Sequence, residues 1–547
     1  MKKLRVGLII DDNNIDTYNH ELIKLLSKND DRFYSPILLC QQYKVNRINS
    51  IYKLTNLPSL LLNRLIDFGE SWLLTSYPEH STHCLAYDPK QLNLKTHNIS
   101  PVISKSGFFH EFTDRDLCLI KENKFDVLIR CGKGILKGDI LDVAKFGILS
   151  FHHGDNRLFR GVPAGFWEVH LNIPSTGFII QQLTDRLDGG NVLLRGSIPT
   201  SSFWKLNNAR ISKKSNNFMF QTLCRIQENA SLPTFESSEI VSEKIYKFPS
   251  FIVLSIYFFR QIQSFMVKKL FFIMNYQYRW SVSFKRKDTL LPELNDSITI
   301  KNKPKKFLAD PFVVNNQGRD ICFLEEYSYE TKKGHISAYE LLDNSYVDLG
   351  IVLEEHFHLS FPYIFEYDNK FYMCPETAEK NDIRIYESMN FPFQWKLKNI
   401  LISDISAADS VIFPFSGTWF LLTNVCSGGM SERNSELHLY HADNPILNQW
   451  KPSANNPVIF DSQKARNGGL FTYDKKLYRV NQRHHKARYG VSFEVNEILN
   501  IEKNQYNEKL VKLVEPNFFA SLDGTHHYHE NNNFVVFDHC RLENISK

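Results

Sequence analysis

From Trp280 onward the chain is a succession of short, aromatic-rich strand patterns separated by turns, with units beginning near Phe307, His358, Ala407 and Ala465. The spacing is about 50 residues, the length of one four-stranded blade in a ring of sheets. A unit of this kind cannot bury its apolar faces alone, so the repeat itself requires neighbouring sheets to pack on one another. The stretch His526 to Phe537 reads as a half unit that closes on the strand at Trp280 to Phe284, which makes a five-bladed β-propeller. Each unit opens on polar residues just ahead of a strand: Ala309-Asp310-Pro-Phe312, His358-Leu-Ser-Phe-Pro362, Ala408-Asp409-Ser-Val and Ala465-Arg466-Asn-Gly-Gly469. In a closed ring these residues gather at the central channel. The expected channel set is Asp310, His358, Glu376, Asp409, Arg466, Arg479 and Gln482. Charges of both signs in an aromatic-rimmed hollow suit a hydroxyl-rich or anionic sugar.

The first 200 residues follow a different rhythm. Arg5 to Ile10 is an apolar strand pattern, Tyr18, Leu22, Leu25 and Leu26 recur at helical spacing, and Tyr34 to Cys40 returns as a strand. Thr113 caps a short helix, and Phe125 to Arg130 is a buried strand running into the glycine loop Arg130-Cys131-Gly132-Lys-Gly134. This is a doubly wound α/β pattern, without the Gly-x-Gly-x-x-Gly that a dinucleotide site would need after the first strand. Residues 43–80 read as a helical insertion. After Pro199 the pattern fades into Asn-, Lys- and Ser-rich sequence around one periodic helix, Phe218 to Ile226. The expected organisation is multidomain: an α/β domain over 1–205, a helical linker over 206–277 and the all-β propeller over 278–547.

A net charge of +5 over 547 residues is too weak to indicate a nucleic-acid partner. Nine scattered cysteines without a Cys-x-x-Cys suggest neither a disulfide framework nor a zinc cage, and a reduced, cytoplasmic compartment fits them. Met1-Lys-Lys-Leu-Arg resembles the start of a signal peptide, but the apolar run after it ends at Asp11-Asp12. Residues 251–274 are strongly apolar yet interrupted by Arg260, Lys268 and Lys269, short of the roughly 18 uninterrupted apolar residues of a spanning helix. An interdomain helix is expected there, with peripheral membrane contact through 251–274 as the alternative. No metal site is read from the chain: His526-His-Tyr-His529 is the nearest to one, but alternation along a strand sends its neighbours to opposite faces.

The first domain converges on Gly147-Ile-Leu-Ser150-Phe-His152, continuing to Arg160-Gly161-Val-Pro163. A short apolar strand ends by delivering His152 into a polar loop, where a substrate can reach its imidazole. Such a histidine needs a carboxylate to fix its tautomer, and Asp188, between Leu187 and two glycines, is the candidate. A hydrogen-bonded structural histidine remains the other reading.

This stretch, with Thr176-Gly177 and Leu187-Asp188-Gly-Gly190, resembles the formyltransferase family of methionyl-tRNA, glycinamide ribonucleotide and sugar-nucleotide N-formyltransferases. The resemblance places the family histidine on His152, its aspartate on Asp188, its Arg-Gly on Arg160-Gly161 and its folate-holding loop on Arg130, Cys131 and Gly132. It implies an amine acceptor and 10-formyltetrahydrofolate as co-substrate. Where the family has asparagine this chain has Ser150, whose hydroxyl offers a single donor. Losing one oxyanion donor typically costs about 10²–10³ in rate.

The second half resembles the propellers of furanosidase-type glycosidases and the N-terminal domain of glucosamine inositolphosphorylceramide transferases. The carrying motifs are Ala309-Asp-Pro-Phe, Phe323-Leu-Glu-Glu326, His358-Leu-Ser-Phe-Pro, Pro375-Glu376, Arg466-Asn-Gly-Gly and Tyr478-Arg-Val-Asn-Gln482. In the glycosidases a base, a modulating Asp and an acid act together. Asp310 and Asp409 take the first two places, but Arg466-Asn467 stands at the third. The two resemblances together suggest an enzyme that formylates an amino sugar or sugar nucleotide during surface-polysaccharide synthesis, with a glycan held in the propeller. The alternatives are a catalytically inactive protein that binds a glycan or partner, and glycosyl transfer by the propeller.

Overall fold

The structure, a computed structural model, describes residues 2–11, 15–42, 57–105, 107–185, 190–234, 242–428, 432–486 and 488–545. They divide into two compact units, Met1–Ile262 and Gln263–Lys547.

The first unit is built on a seven-stranded sheet. Its strands are β1 (Val6–Asp11), β2 (Ile37–Gln41), β3 (Thr96–Ile99), β4 (Val127–Arg130), β5 (Ile148–His152), β6 (Ser175–Gln182) and β7 (Asn191–Pro199), in the order β7-β6-β5-β4-β1-β2-β3. Strands β3 to β5 of that order run parallel, and β6 and β7 are antiparallel. The inner parallel strands β1, β2 and β4 are largely apolar and buried, as a sheet covered on two sides requires, whereas the edge strand β3 is mostly polar and partly exposed. Helix α1 (Thr17–Lys28) starts where Asp16 accepts from the Asn19 amide at 2.8 Å, and buries Leu22 and Leu26. Helix α2 (Leu57–Leu74) occupies part of the expected insertion, whose residues 43–56 lie outside those described. Thr113 caps α3 (Asp114–Glu122), and the short α4 (Phe166–His170) follows the His152 loop.

Helix α5 (Trp204–Asn229) corrects the reading of 206–246 as a linker around a short helix. It runs for 26 residues, packs on α1, α2 and β6, and lies inside the first unit. The pattern concealed it because much of its buried face is polar: Asn207, Ser212, Lys214, Ser215 and Asn216 are all buried. Asn207 shows how such a face is satisfied, donating to the Gly165 carbonyl and to Thr176 Oγ1 at 2.9 Å each. Helix α6 (Phe251–Ile273) carries the boundary between the two units within its length.

The second unit contains five antiparallel sheets. Four are made of consecutive strands that begin at Lys306, Ser360, Ala407 and Asn467. The fifth joins the two ends of the unit: Tyr276–Arg286 pairs along its length with Phe534–Asn544, Trp280 opposite Cys540 and Phe284 opposite Val536. The strands starting at Lys306, Ser360, Ala407 and Asn467, together with Tyr528–Glu530, touch one another in sequence and then back to the first, a closed ring of strands. Pairing shifts at Ala309/Phe312, Ser360/Tyr363, Ala408/Val411 and Asn467/Gly469, so the same irregularity recurs on four strands of the ring. At three of them a non-glycine residue takes left-handed backbone: Asp310 (φ 51), Phe361 (φ 48) and Asp409 (φ 46). Bulges of this kind re-aim side chains, and left-handed backbone at such residues costs about 1 kcal/mol or more. Here they turn two aspartates toward the ring's interior, where Arg466, His526 and Glu325 meet them.

Candidate functional site

In the first unit β4 and β5 run side by side with Ser150 opposite Arg130. Alternation puts Ser150 and His152 on one side-chain face of β5 and Phe151 on the other. Arg130 donates from Nη1 to Ser150 Oγ at 3.4 Å and from Nε to the Gly134 carbonyl at 2.8 Å. The Ser150 hydroxyl donates to the Phe151 carbonyl at 3.2 Å. His152 Nε2 lies 3.4 Å from the Phe159 carbonyl oxygen. Asp188, the expected partner of His152, lies outside the described residues.

A cavity of about 170 Å³ opens at the carboxyl edge of the sheet, where doubly wound folds take their ligands. Arg130, Cys131 and Gly132 line it, as do Phe151 and His153, and residues of α1 and α5 close it. Asn216 of α5 lines this cavity with a buried Oδ1 that has no hydrogen-bond partner among the described residues. Arg160 and Gly161 are held elsewhere, at a narrow cleft they share with His153 and the buried Glu168. Gly161 has no substitute there: its φ is +107°, and a Cβ would stand 2.0 Å from the Tyr246 carbonyl oxygen, across the pairing of Arg160–Gly161 with Ile245–Tyr246. Gly177 likewise lets β6 approach Asp155, whose Cβ a side chain would meet at 2.7 Å.

Sequence reasoning passed over His153 and Glu168. Burial, and then the neighbouring His152, lower the His153 pKa to about 4, so it is neutral and hydrogen-bonds Ser215 at 2.9 Å. Burial pushes Glu168 up to about 7. Neither carries a motif, and the Ser215 that identifies His153 sits 62 residues away on α5.

In the second unit four of the seven expected channel residues, Glu376, Asp409, Arg466 and Gln482, form one hydrogen-bonded cluster, and His358 and Asp310 are coupled to it electrostatically. Arg466 donates from Nε to Asp409 and from Nη2 to Glu376 at 3.4 Å, and Gln482 donates to Asp409 at 3.0 Å. Burial disfavours the Arg466 charge, but Asp409 and Glu376 hold the guanidinium's pKa above its ordinary value. His358 accepts the Gly334 amide at Nδ1 and turns Nε2 toward Glu325, 3.7 Å away. Burial and then the nearby Asp310 and Glu376 push the Glu325 pKa above the usual carboxylate range. Arg479 corrects the expectation. It is fully buried, but it holds Glu508 at 2.6 Å and the carbonyl of Lys464 at 2.8 Å. Gln482 lies three positions further along the strand, an odd step that turns the two side chains to opposite faces.

The residues that complete the cluster come from the end of the chain. His526 Nδ1 is 2.9 Å from Asp538, and its Nε2 is 3.2 Å from Asp310 Oδ1. His527 also faces Asp310, at 3.6 Å, contrary to the alternation expected of neighbours, because the strand begins only at Tyr528. Burial would lower the His526 pKa, but Asp538 and Asp310 raise it to about 10. Asp310 experiences burial that would raise it, yet His526 and His527 hold it below the usual range. Asp310, His526 and Asp538 bring three metal-capable atoms within 4.8 Å of one another. The imidazolium of His526 already supplies the positive charge between the two carboxylates.

The family model described as glucosamine inositolphosphorylceramide transferase 1, N-terminal, matches residues 294–530. The glucosamine inositolphosphorylceramide transferase 1 of Arabidopsis thaliana is 35% identical over 217 residues, which are 39% of this chain and 28% of the relative. A methionyl-tRNA formyltransferase of Anaplasma marginale (strain St. Maries) is 25% identical over 202 residues, 36% of this chain and 65% of that protein. The chain thus spans less than a third of the first relative's length and just under two thirds of the second's. Among solved structures, the catalytic domain of the Coprinopsis cinerea GH62 α-L-arabinofuranosidase superposes with a TM-score of 0.35 at 10% identity, covering 47% of this chain and 97% of that one. The chain therefore joins a half similar to formyltransferases to a half similar to the N-terminal region of glucosamine inositolphosphorylceramide transferases.

Proposed function

We propose that the first unit transfers a formyl group from 10-formyltetrahydrofolate to the amine of an amino sugar carried on a nucleotide, in cytoplasmic synthesis of surface polysaccharide, and that the second unit is a five-bladed propeller that holds a saccharide. The observation that carries the reading is the face shared by Ser150, His152 and Arg130 at the carboxyl edge of the sheet. The Ser150 proton is directed at the Phe151 carbonyl, so the hydroxyl does not reproduce the amide donor of the related enzymes. Arg130 is the donor that Ser150 holds, and a guanidinium at this position would meet negative charge building on a formyl oxygen. His152 would take the proton released by the attacking amine, with Asp188 orienting it. The polar cavity lies on the Phe151 and His153 side of β5, and Arg130, which lines it and donates to Ser150, links it to the catalytic face; its Cys131, Gly132 and Asn216 lining would meet the donor and acceptor edge of a pterin. When bound, the folate supplies the activated one-carbon unit. At about 170 Å³ the cavity accepts the head group rather than the whole molecule.

The test is product formation from 10-formyltetrahydrofolate and a panel of nucleotide-linked amino sugars, read by mass spectrometry. His152→Ala and Asp188→Asn should each abolish product while leaving the melting temperature nearly unchanged. Full activity in both variants, or no transfer by wild type together with no folate binding by calorimetry, overturns the reading in favour of a binding protein.

For the second unit, retention of a glycan follows from Arg466 standing where related glycosidases have their acid. Asp310 and Glu325 favour a second reading. Their surroundings push their proton affinities apart, Asp310 below and Glu325 above the usual carboxylate range, as in paired carboxyls that act as base and acid. On this reading the unit would catalyse glycosyl transfer or hydrolysis. Turnover of an aryl furanoside that is lost in both Asp310→Asn and Glu325→Gln would establish it, and binding without turnover would exclude it.

A further inference from the structure

Helix α2 is apolar on two sides. One side enters the core through Leu62, Ile66 and Leu74. The other shows Leu57, Leu61, Leu65, Phe68 and Trp72 to solvent, at steps of four, four, three and four that draw a single stripe along the helix. Within the first unit helix α6 does the same: Leu254 and Tyr257 are buried, whereas Ile252, Ile256 and Phe259 are exposed. The exposures are large, 76% for Phe68, 68% for Trp72, 70% for Ile252 and 68% for Phe259. Helix α2 and the part of α6 up to Ile262 are neighbours in the first unit. Ile66 of α2 and Leu254 and Tyr257 of α6 share one cluster around Phe166, and the Tyr257 hydroxyl donates to the buried Glu70 of α2 at 2.5 Å. Lys205 seals the same joint from α5, donating its backbone amide to Glu70 at 2.7 Å. The stripes therefore sit on a fixed pair of helices. Soluble surfaces rarely leave a contiguous apolar patch of this kind uncovered.

Charge decides what covers it. Helix α6 carries Arg260, Lys268 and Lys269 and no acidic residue over its whole length. On α2, Glu70 is buried and Asp67 is paired with Lys205 at 2.5 Å, which leaves Arg64 as the helix's uncompensated charge. Apolar and aromatic stripes flanked by cations are the composition of helices that lie in the headgroup region of an anionic bilayer. Trp72 and the phenylalanines suit that depth, and the long basic side chains can reach the phosphates. No helix among the described residues is long and apolar enough to cross a membrane, so the pair would lie along the surface.

We propose that α2 and α6 together form a docking surface for an anionic lipid bilayer. This goes beyond the formyl-transfer reading and does not depend on it. The test is co-sedimentation of the full chain with phosphatidylcholine vesicles that contain or lack phosphatidylserine. Binding should require the anionic lipid, weaken with added salt, and fall at least about tenfold in Phe68→Ser/Trp72→Ser/Phe259→Ser, since three deeply inserting side chains are lost. Arg64→Glu/Arg260→Glu should weaken it while leaving the apolar stripes intact. Brominated lipid should quench wild-type tryptophan emission more than that of Trp72→Phe, a variant that keeps its fold. Wild-type protein that stays in the supernatant at every lipid concentration overturns the proposal, as does a triple variant that binds as well as wild type. So does dimerisation by light scattering that the triple substitution abolishes without any vesicle binding, since the stripes would then be a contact between two copies of this chain.

Discussion

Nε2 of His526 lies 3.2 Å from Oδ1 of Asp310, across 216 residues of sequence. The same imidazole is held from its other nitrogen by Asp538, and the pair of carboxylates keeps it charged to a pKa of about 10. A histidine whose folded pKa is raised contributes stability that is fully present below its unfolded value near 6.5, and that is lost as pH rises toward 10. Asp310 has the opposite sign: its contribution is present above the ordinary carboxylate range and is lost in acid. Urea denaturation of the protein should therefore show the second unit weakening progressively between about pH 7 and pH 10. In His526→Gln that slope should flatten, and stability near pH 6 should drop by about 3–5 kcal/mol because Asp310 and Asp538 lose the charge between them. An unchanged alkaline slope in the variant would show that His526 is not the titrating group.

Arg466 bridges Asp409 and Glu376 from a position where it is itself almost fully buried. Arg466→Ala leaves two carboxylates in a low-dielectric site without their counterion, so it should destabilise the unit by about 3–5 kcal/mol and abolish glycan binding measured by calorimetry. Arg466→Lys should not restore binding, because a point charge cannot span Asp409 and Glu376 as the planar guanidinium does. Arg466→Met with wild-type stability would contradict this arrangement.

On the proposed formyl-transfer reading, Ser150 and Arg130, which come from two separate sequence motifs, make contributions that substitution can separate. Because the Ser150 proton points at the Phe151 carbonyl, Ser150→Ala should lower kcat by less than about tenfold, the effect of loosening a neighbour. Arg130→Met removes the donor itself and should lower kcat by about 10²–10³. Steady-state kinetics with folate saturating would check the pair, and equal losses in both variants would return the donor role to the hydroxyl.

Local pattern made much of this protein legible. The units of the second half were marked near Phe307, His358, Ala407 and Ala465, and the strands begin at Lys306, Ser360, Ala407 and Asn467, since a half-buried strand and its turn are written in adjacent residues. The strand ending at His152 was legible for the same reason. Helix α5 was not, because Lys214, Ser215 and Asn216 bury polar side chains where the apolar period would have been sought. Chain order could suggest that Asp310, Asp409 and Arg466 stand at the starts of three separate sheets. That Asp310 meets His526 and Asp538 depends on pairing between Tyr276–Arg286 and Phe534–Asn544, which closes the ring. The periodicity of a sequence specifies which face a side chain takes within its own element. Which charges then share one dry interior, and which of them keep their protons, is set by contacts between residues hundreds of positions apart, and only the tertiary structure decides that.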